Sequence, residues 1–304
     1  MNAALKRFVE YTRSCGIEPV FVNDGYEGLI EGRFKAAHYR DVARILTLGG
    51  TVIGSARSAR FMDANWRAKA AANLRDEGIE GVVILGGEGS FQGMQKLHDE
   101  HGVLVAGIPA TIDNDIAGTE YCLGVDTALT TIKCQIDAVR DTAASFARAF
   151  VIETMGRECG YLALVSGLTC GAEMIAVPEL PFDLDAYRRA FLAQKAEGRR
   201  YFIAVVAEAM KRTDAIARWF EEAVGIESRT VVLGHTQRGG NPSVYDRLMA
   251  FRFVTHAVDM LCRRMSGVVC LEGSRLGEKA VDEVAGKPYR IDPELLALWQ
   301  PLQA

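Results

Sequence analysis

Apolar positions along this chain follow two rhythms. Short, nearly continuous apolar runs rich in Val and Ile recur at Pro19–Val22, Val82–Leu85, Val103–Ile108, Ala149–Glu153, Met174–Val177, Phe202–Ala207, Val231–Leu233 and Val268–Leu271. Runs without polar alternation suit strands that are covered on both faces, as parallel strands are. Between them, apolar residues recur at spacings of three and four. The clearest such stretch, Val125 to Ala144, sets Leu129, Ile132, Ile136 and Val139 on one stripe and predicts a helix. Alternation of this kind predicts βαβ units, hence an α/β fold built on doubly wound, mostly parallel sheets. No repeat, low-complexity tract or Ser/Pro-rich linker interrupts the pattern. Any domain boundary therefore falls within compact connections, and the helix near Val125 is the natural bridge.

Composition narrows the class. A chain of 304 residues makes one large or two medium domains, and 49% hydrophobic residues allow a sizeable core. A net charge of −4 gives no electrostatic reason to expect nucleic acid or an anionic membrane as partner. No uninterrupted apolar stretch is long enough to cross a bilayer. The opening Met1-Asn2-Ala3-Ala4-Leu5-Lys6 starts an amphipathic pattern and is not read as a signal peptide. Seven cysteines with no C-x-x-C pair predict reduced thiols in a cytoplasmic protein. His98 and His101 are expected to be a solvated pair in a helix-to-strand connection, because zinc needs further ligands and none is near in sequence.

The residues that carry chemistry stand where apolar runs end, and in open α/β sheets ligands bind at the carboxyl ends of strands. Pro109-Ala110-Thr111-Ile112-Asp113-Asn114-Asp115 follows Val103–Ile108. One carboxylate there can take a proton from a sugar hydroxyl, and a second can hold a metal ion or fix the first. The plainer alternative is an Asx-rich turn bonded to its own backbone. Gly86-Gly87-Glu88-Gly89-Ser90 follows Val82–Leu85 and precedes a helical run. Its backbone N–H groups can approach phosphate oxygens, and Glu88 offers oxygen ligands to Mg²⁺. Gly50–Arg57 is read as a second glycine-punctuated strand end, finishing in an arginine able to clamp a polyphosphate. His235-Thr236-Gln237-Arg238-Gly239-Gly240 and Met155-Gly156-Arg157-Glu158-Cys159-Gly160 add donors at two further strand ends, and Glu208 closes Phe202–Ala207. Taken singly, each has a structural alternative: a capped turn, a solvated acid or a surface arginine. Arg148 and Arg229 each precede a strand, so they stand at the opposite end and could serve only a neighbouring subunit's site. Acids, arginines and a histidine on several strand ends suit phosphoryl transfer, which depends mostly on positioning and charge neutralisation.

These segments resemble the 6-phosphofructokinase family. Gly50–Arg57, Gly86–Ser90, Pro109–Asp115, Gly118–Leu129, Met155–Gly160, Val177-Pro178-Glu179 and Gly234–Arg247 occur in the family's order and near its spacing, up to about Leu271. The resemblance implies ATP-dependent phosphorylation of fructose 6-phosphate, with Asp113 as base. Thr111, Asp115 and Arg157 would serve the transferring phosphoryl group. Arg57, Ser58, Gly87, Glu88, Gly89 and Ser90 would hold ATP, with Glu88 at the Mg²⁺ position. Met155, Gly156, Glu208, His235 and Arg238 would hold the sugar phosphate, with Arg148 and Arg229 reaching it across the interfaces of a homotetramer. It implies two domains: residues 1–123 plus 238–290 for the nucleotide, and 124–237 plus 291–304 for the sugar phosphate.

The chain departs from the family at identifiable positions. Glu88 stands where members usually carry Asp. Gly89 matches ATP users, and Ala110 replaces the Gly of ATP users or the Lys of pyrophosphate users. Of the arginines that form an ADP effector site in bacterial members, Arg140 is kept, while Lys6 and Glu10 occupy two other positions. Met1-Asn2-Ala3-Ala4 aligns with the family's first helix. The strand and Gly-Gly-Asp turn that precede it are expected to be missing, which would leave the first sheet an unpaired edge.

Overall fold

The structure, a computed structural model, describes residues 1–299. The expectation for residues 300–304 lies outside the described residues. Two compact units divide the chain. The first comprises Met1–Thr111, Ile116–Gly124 and Gly240–Tyr289; the second comprises Ile112–Asp115, Val125–Gly239 and the segment from Arg290. Ten strands are described: β1 (Val20–Val22), β2 (Phe34–Ala36), β3 (Val82–Gly86), β4 (Val105–Pro109), β5 (Ala149–Thr154), β6 (Met174–Ala176), β7 (Phe202–Ala207), β8 (Ser228–Val232), β9 (Gly267–Glu272) and β10 (Arg275–Lys279).

The main sheet of the first unit runs β10-β9-β4-β3, with β3, β4 and β9 parallel and β10 antiparallel. The helix Asn2–Ser14 packs alongside the helix Val244–Cys262, and the latter covers β4 and β9. Asn2–Ser14 buries Leu5 and Val9, one turn apart, and Val244–Cys262 buries Met249, Phe253 and Ala257. The second helix starts cleanly because Ser243 Oγ accepts the Asp246 N–H at 3.1 Å. The two helices run parallel and in step. Arg7 Nε donates to Thr255 Oγ1 at 3.0 Å, and one turn further on Tyr11 donates to Asp259 at 2.6 Å. Beyond β3 no further strand is paired among the described residues, and its outer edge borders a cavity of about 770 Å³ lined by Leu5, Phe8, Phe21, Leu29, Val258 and Leu261.

The sheet of the second unit is wholly parallel, in the order β6-β7-β5-β8. The chain enters at central β5 and winds to both sides, so the loops leaving all four strands gather at one edge. One face is sealed by aromatics. Phe191 stacks on Phe202 at 4.4 Å and on Phe220 at 5.6 Å between centroids, and all three are fully buried. Burying each such ring contributes about 1.5–3 kcal/mol. The Leu184–Ala196 helix that carries Phe191 is capped by Asp183, which accepts from Asp185 N–H at 2.9 Å. On Val125–Phe146, Ile132 and Ile136 of the expected stripe are fully buried.

Four sequence expectations need correction. Gly50–Arg57 ends no strand: its backbone is turn and irregular, and no strand lies between β2 and β3. The Pro19–Val22 run belongs to neither parallel sheet: β1 pairs antiparallel with β2, in a separate ribbon. The Val268–Leu271 run is the first half of a hairpin, because Gly273 and Ser274 take φ of 53° and 68° and return the chain as β10. Positive φ at both central residues is what a tight hairpin turn with the sheet's own twist requires. His98 and His101 lie on the last turn of the Glu88–His101 helix, where His98 Nδ1 meets the Val103 carbonyl at 2.9 Å.

Candidate active site

In the second unit the site is built at the carboxyl edge of the sheet. After β5 the chain makes a sharp turn through Met155, Gly156 and Arg157. Gly156 has φ of 144°, and a Cβ there would run into the Cys159 carbonyl. Arg157 follows at φ 52°, in the left-handed region that L residues avoid. Side chains from the neighbouring strand ends hold this turn. Glu208, directly after β7, accepts both the Gly156 N–H at 3.0 Å and the Arg157 N–H at 2.7 Å. Gln237, after β8, accepts the Met155 N–H at 3.1 Å, and Glu179, after β6, accepts the Gly160 N–H at 2.8 Å.

The turn aims Arg157 at Asp113. Arg157 Nε lies 3.2 Å from Asp113 Oδ2, and Arg238 approaches Oδ1 at 3.7 Å. Asp113 is 1% exposed, whereas both arginines are substantially exposed. The arginines therefore present a buried carboxylate with a cationic rim open to solvent. Asn114 beside it takes φ of 51°, a conformation Asn tolerates better than most residues. The acids concentrate charge here. Burial, followed by nearby Glu179, Asp115 and Asp113, pushes the Cys159 thiol up to about 12. His235 is exposed on the same turn as Arg238.

In the first unit a second cluster forms at the ends of β3 and β4. The glycine-rich segment is a helix start rather than a loop: Gly87 is the N-cap and Glu88, Gly89 and Ser90 form the first turn of Glu88–His101. A 14-residue helix offers free N–H groups and a favourable dipole to an anion at that end. Gly89 is exposed, with open space where a side chain would be. Ser90 is half-buried and its carbonyl accepts the Tyr26 hydroxyl at 2.5 Å. Thr111 lies against Gly87, where an added Cβ would be 3.5 Å from Thr111 Cβ. Glu88 Oε1 accepts from Gly286 N–H at 2.5 Å and Gln92 Nε2 at 2.9 Å. Its Oε2 is buried with no hydrogen-bond partner, so one carboxylate oxygen is left for a cation. Arg57 is exposed and forms no ion pair among the described residues, while Ser58 Oγ accepts the Phe61 N–H at 3.1 Å. The segment leading to them is clamped by Asn2, 1% exposed. Asn2 donates to the Leu48 and Gly49 carbonyls at 3.0 and 3.1 Å and accepts the Val52 N–H at 2.9 Å.

Arg148 and Arg229 lie apart from these residues. Arg148 precedes β5, Arg229 is the second residue of β8, and both bind Glu227, Arg148 at 2.7 Å. The hydrogen bond from Arg148 holds the Glu227 carboxyl below the usual carboxylate range. This is the amino end of the sheet, about five residues or roughly 17 Å of strand from the Arg157 turn. Lys6 and Glu10 pair with each other at 2.6 Å, and Arg140 donates to the Cys170 and Gly171 carbonyls.

The sequence matches the family model described as phosphofructokinase over residues 1–261. The chain belongs to the phosphofructokinase family. The ATP-dependent 6-phosphofructokinase of Sulfurovum sp. (strain NBC37-1) is 58% identical over 306 residues, covering 100% of this chain and 94% of that protein. The enzyme of the same name from Wolinella succinogenes is 48% identical, covering 98% and 94%. Among solved structures, phosphofructokinase from Saccharomyces cerevisiae aligns with a TM-score of 0.85 at 30% identity, over 93% of this chain and 42% of that one. A pyrophosphate-dependent phosphofructokinase from Marinobacter aquaeolei aligns with a TM-score of 0.82, covering 100% and 88%, but at 22% identity it speaks for the fold alone.

Within this phosphofructokinase fold, Gln237, Asn2 and Glu179 support the site without a sequence signal that marks them for it. Glu179 stands in a segment that resembles the family, and Gln237 is one donor among several in its turn. Asn2 had no periodic or motif signal, since its role depends on a loop 46 residues away.

Proposed function

We propose that this phosphofructokinase is ATP-dependent: it transfers the γ-phosphoryl group of ATP to the 1-hydroxyl of fructose 6-phosphate, giving fructose 1,6-bisphosphate in glycolysis. The observation that carries the reading is the buried strand-end carboxylate of Asp113 faced by Arg157 and Arg238, in a chain whose full-length relatives bear that enzyme's name. Asp113 takes the proton of the 1-hydroxyl as its oxygen attacks the γ-phosphorus, and ADP leaves with the electrons of the broken bond. Arg157, with Thr111 and Asp115 in support, balances and orients charge at the transferring group. His235, Arg238, Met155, Gly156 and Glu208 hold the sugar phosphate in the second unit. Arg57, Ser58 and the Gly87–Ser90 helix start hold the ATP phosphates in the first.

Mg²⁺ fits the Glu88 carboxylate, whose buried Oε2 has no hydrogen-bond partner. Such an ion takes one or two carboxylates and completes its shell with phosphates and water. Bound there, it would neutralise charge on the ATP phosphates. Arg148 and Arg229 serve the sugar-phosphate site of a neighbouring subunit, in the homotetramer that the family resemblance implies. The setting we propose is cytoplasmic, where glycolysis runs. Among the described residues no helix is long and apolar enough to cross a membrane.

A coupled assay of the chain with fructose 6-phosphate, supplied with either MgATP or Mg-pyrophosphate, tests the reading. Turnover with ATP is expected. Turnover with pyrophosphate alone would replace the donor, and sugar-phosphate binding without turnover would make the chain a non-catalytic homologue.

A further inference from the structure

Gln237 joins the two turns that carry the arginines facing Asp113. It stands beside Arg238 after β8, yet it is buried to 1% exposure where His235 and Arg238 are exposed. Both ends of its carboxamide are used. Oε1 accepts the Met155 N–H at 3.1 Å, and Nε2 donates to the Gly234 carbonyl at 3.0 Å. Met155 opens the turn that carries Arg157, and Gly234 opens the turn that carries Arg238. Those arginines meet the two oxygens of Asp113 at 3.2 and 3.7 Å.

Glutamine suits this place because it is donor and acceptor at once and carries no charge. A carboxylate would keep the acceptor for Met155 but face the Gly234 carbonyl with a second oxygen. An apolar side chain would strand a backbone donor and an acceptor where water has little access.

We propose that Gln237 is a positioning residue for phosphoryl transfer: it sets the spacing of the Arg157 and Arg238 turns so that both guanidiniums meet one carboxylate. Its two contacts are to backbone groups that take no part in the reaction, so its influence on rate passes through the arginines. Glu208 holds Gly156 and Arg157 independently, so loss of Gln237 displaces the turn without releasing it. Displacements of this kind, on the order of 1 Å, can cost about 10²-fold in rate. The proposal rests on the reading of Asp113 and Arg157 as catalytic.

The test compares Gln237→Met and Gln237→Glu, each alone and combined with Arg157→Ala, in steady-state assays with MgATP and fructose 6-phosphate. Gln237→Met should lower kcat about 10–100-fold and leave the KM for ATP unchanged. Gln237→Glu, which keeps the acceptor for Met155, should recover part of that loss. In the Arg157→Ala background, adding Gln237→Met should cost less than about twofold in kcat, because the turn it then still sets is that of Arg238, which holds the sugar phosphate and acts on KM. Equal losses in both backgrounds would reduce Gln237 to a structural residue and overturn the proposal, as would unaltered kcat in Gln237→Met. If Gln237→Met shows no cooperative melt, the same comparison is made with Gln237→Glu. Undiminished turnover in Arg157→Ala alone would instead overturn the underlying assignment, and this proposal with it.

Discussion

Arg157 approaches Asp113 from a strained backbone: φ at Arg157 is 52°, and its Nε lies 3.2 Å from Asp113 Oδ2. The left-handed region costs an ordinary residue roughly 1–2 kcal/mol, and glycine would occupy it without penalty. Two hydrogen bonds from the turn to Glu208 offset the strain. An arginine kept at such a position fits a residue held for its guanidinium.

Arg157→Gly separates the two effects. The substitution removes the backbone penalty together with the charge. Thermal stability is expected to stay level or rise, while kcat falls about 10²–10³-fold, as for loss of one donor to a developing anion. Parallel melting curves and steady-state kinetics check this. A variant that lost stability but kept its turnover would show Arg157 to be structural.

Asn2 provides a test in the first unit. Its side chain satisfies two carbonyls and one N–H of the segment between Leu48 and Val52. Asn2→Ala leaves those groups without their partner, at an expected cost of about 1–3 kcal/mol measured by denaturant unfolding. The segment leads to Arg57, so the KM for ATP should rise while that for fructose 6-phosphate stays near its original value. Equal increases in both would argue against a role specific to the nucleotide.

How much of this was legible in the sequence differs by feature. The parallel strands announce themselves because a strand covered on both faces must be apolar throughout, as Phe202–Ala207 is. The strand β2, Phe-Lys-Ala, is too short and too polar to stand out, and its pairing moves β1 into a ribbon of its own. The hairpin of β9 and β10 turns at Gly273-Ser274, but β10 carries charge at Arg275, Glu278 and Lys279 and lacks the apolar run that marks the others. At the site, Asp113 and the arginines are recognisable as strand-end residues. The convergence of Arg157 and Arg238 on one carboxylate depends on β5 and β8 being neighbours in the sheet, and no local pattern records that order.

Acid stability provides a third test. Arg67, 4% exposed, forks onto Glu100 with Nε and Nη2, each at 2.7 Å. Hydrogen bonding from Arg67 holds the Glu100 carboxyl below the usual carboxylate range. A carboxyl with a depressed folded-state pKa contributes its stability above the unfolded pKa and loses it as pH falls through the folded one. The Tm of the unaltered chain should therefore fall more steeply between about pH 5 and pH 3 than that of Glu100→Gln, which has no such group to protonate. Matching slopes would mean that solvent screens the pair.

The most direct measurement is the turnover of Asp113→Asn under saturating MgATP and fructose 6-phosphate. The amide keeps the shape of the side chain and removes the base. The variant should fold with an unchanged melting temperature and bind both substrates, with kcat lower by about 10²–10⁴-fold. A kcat within roughly threefold of the unaltered chain would contradict the assignment of Asp113 as the base.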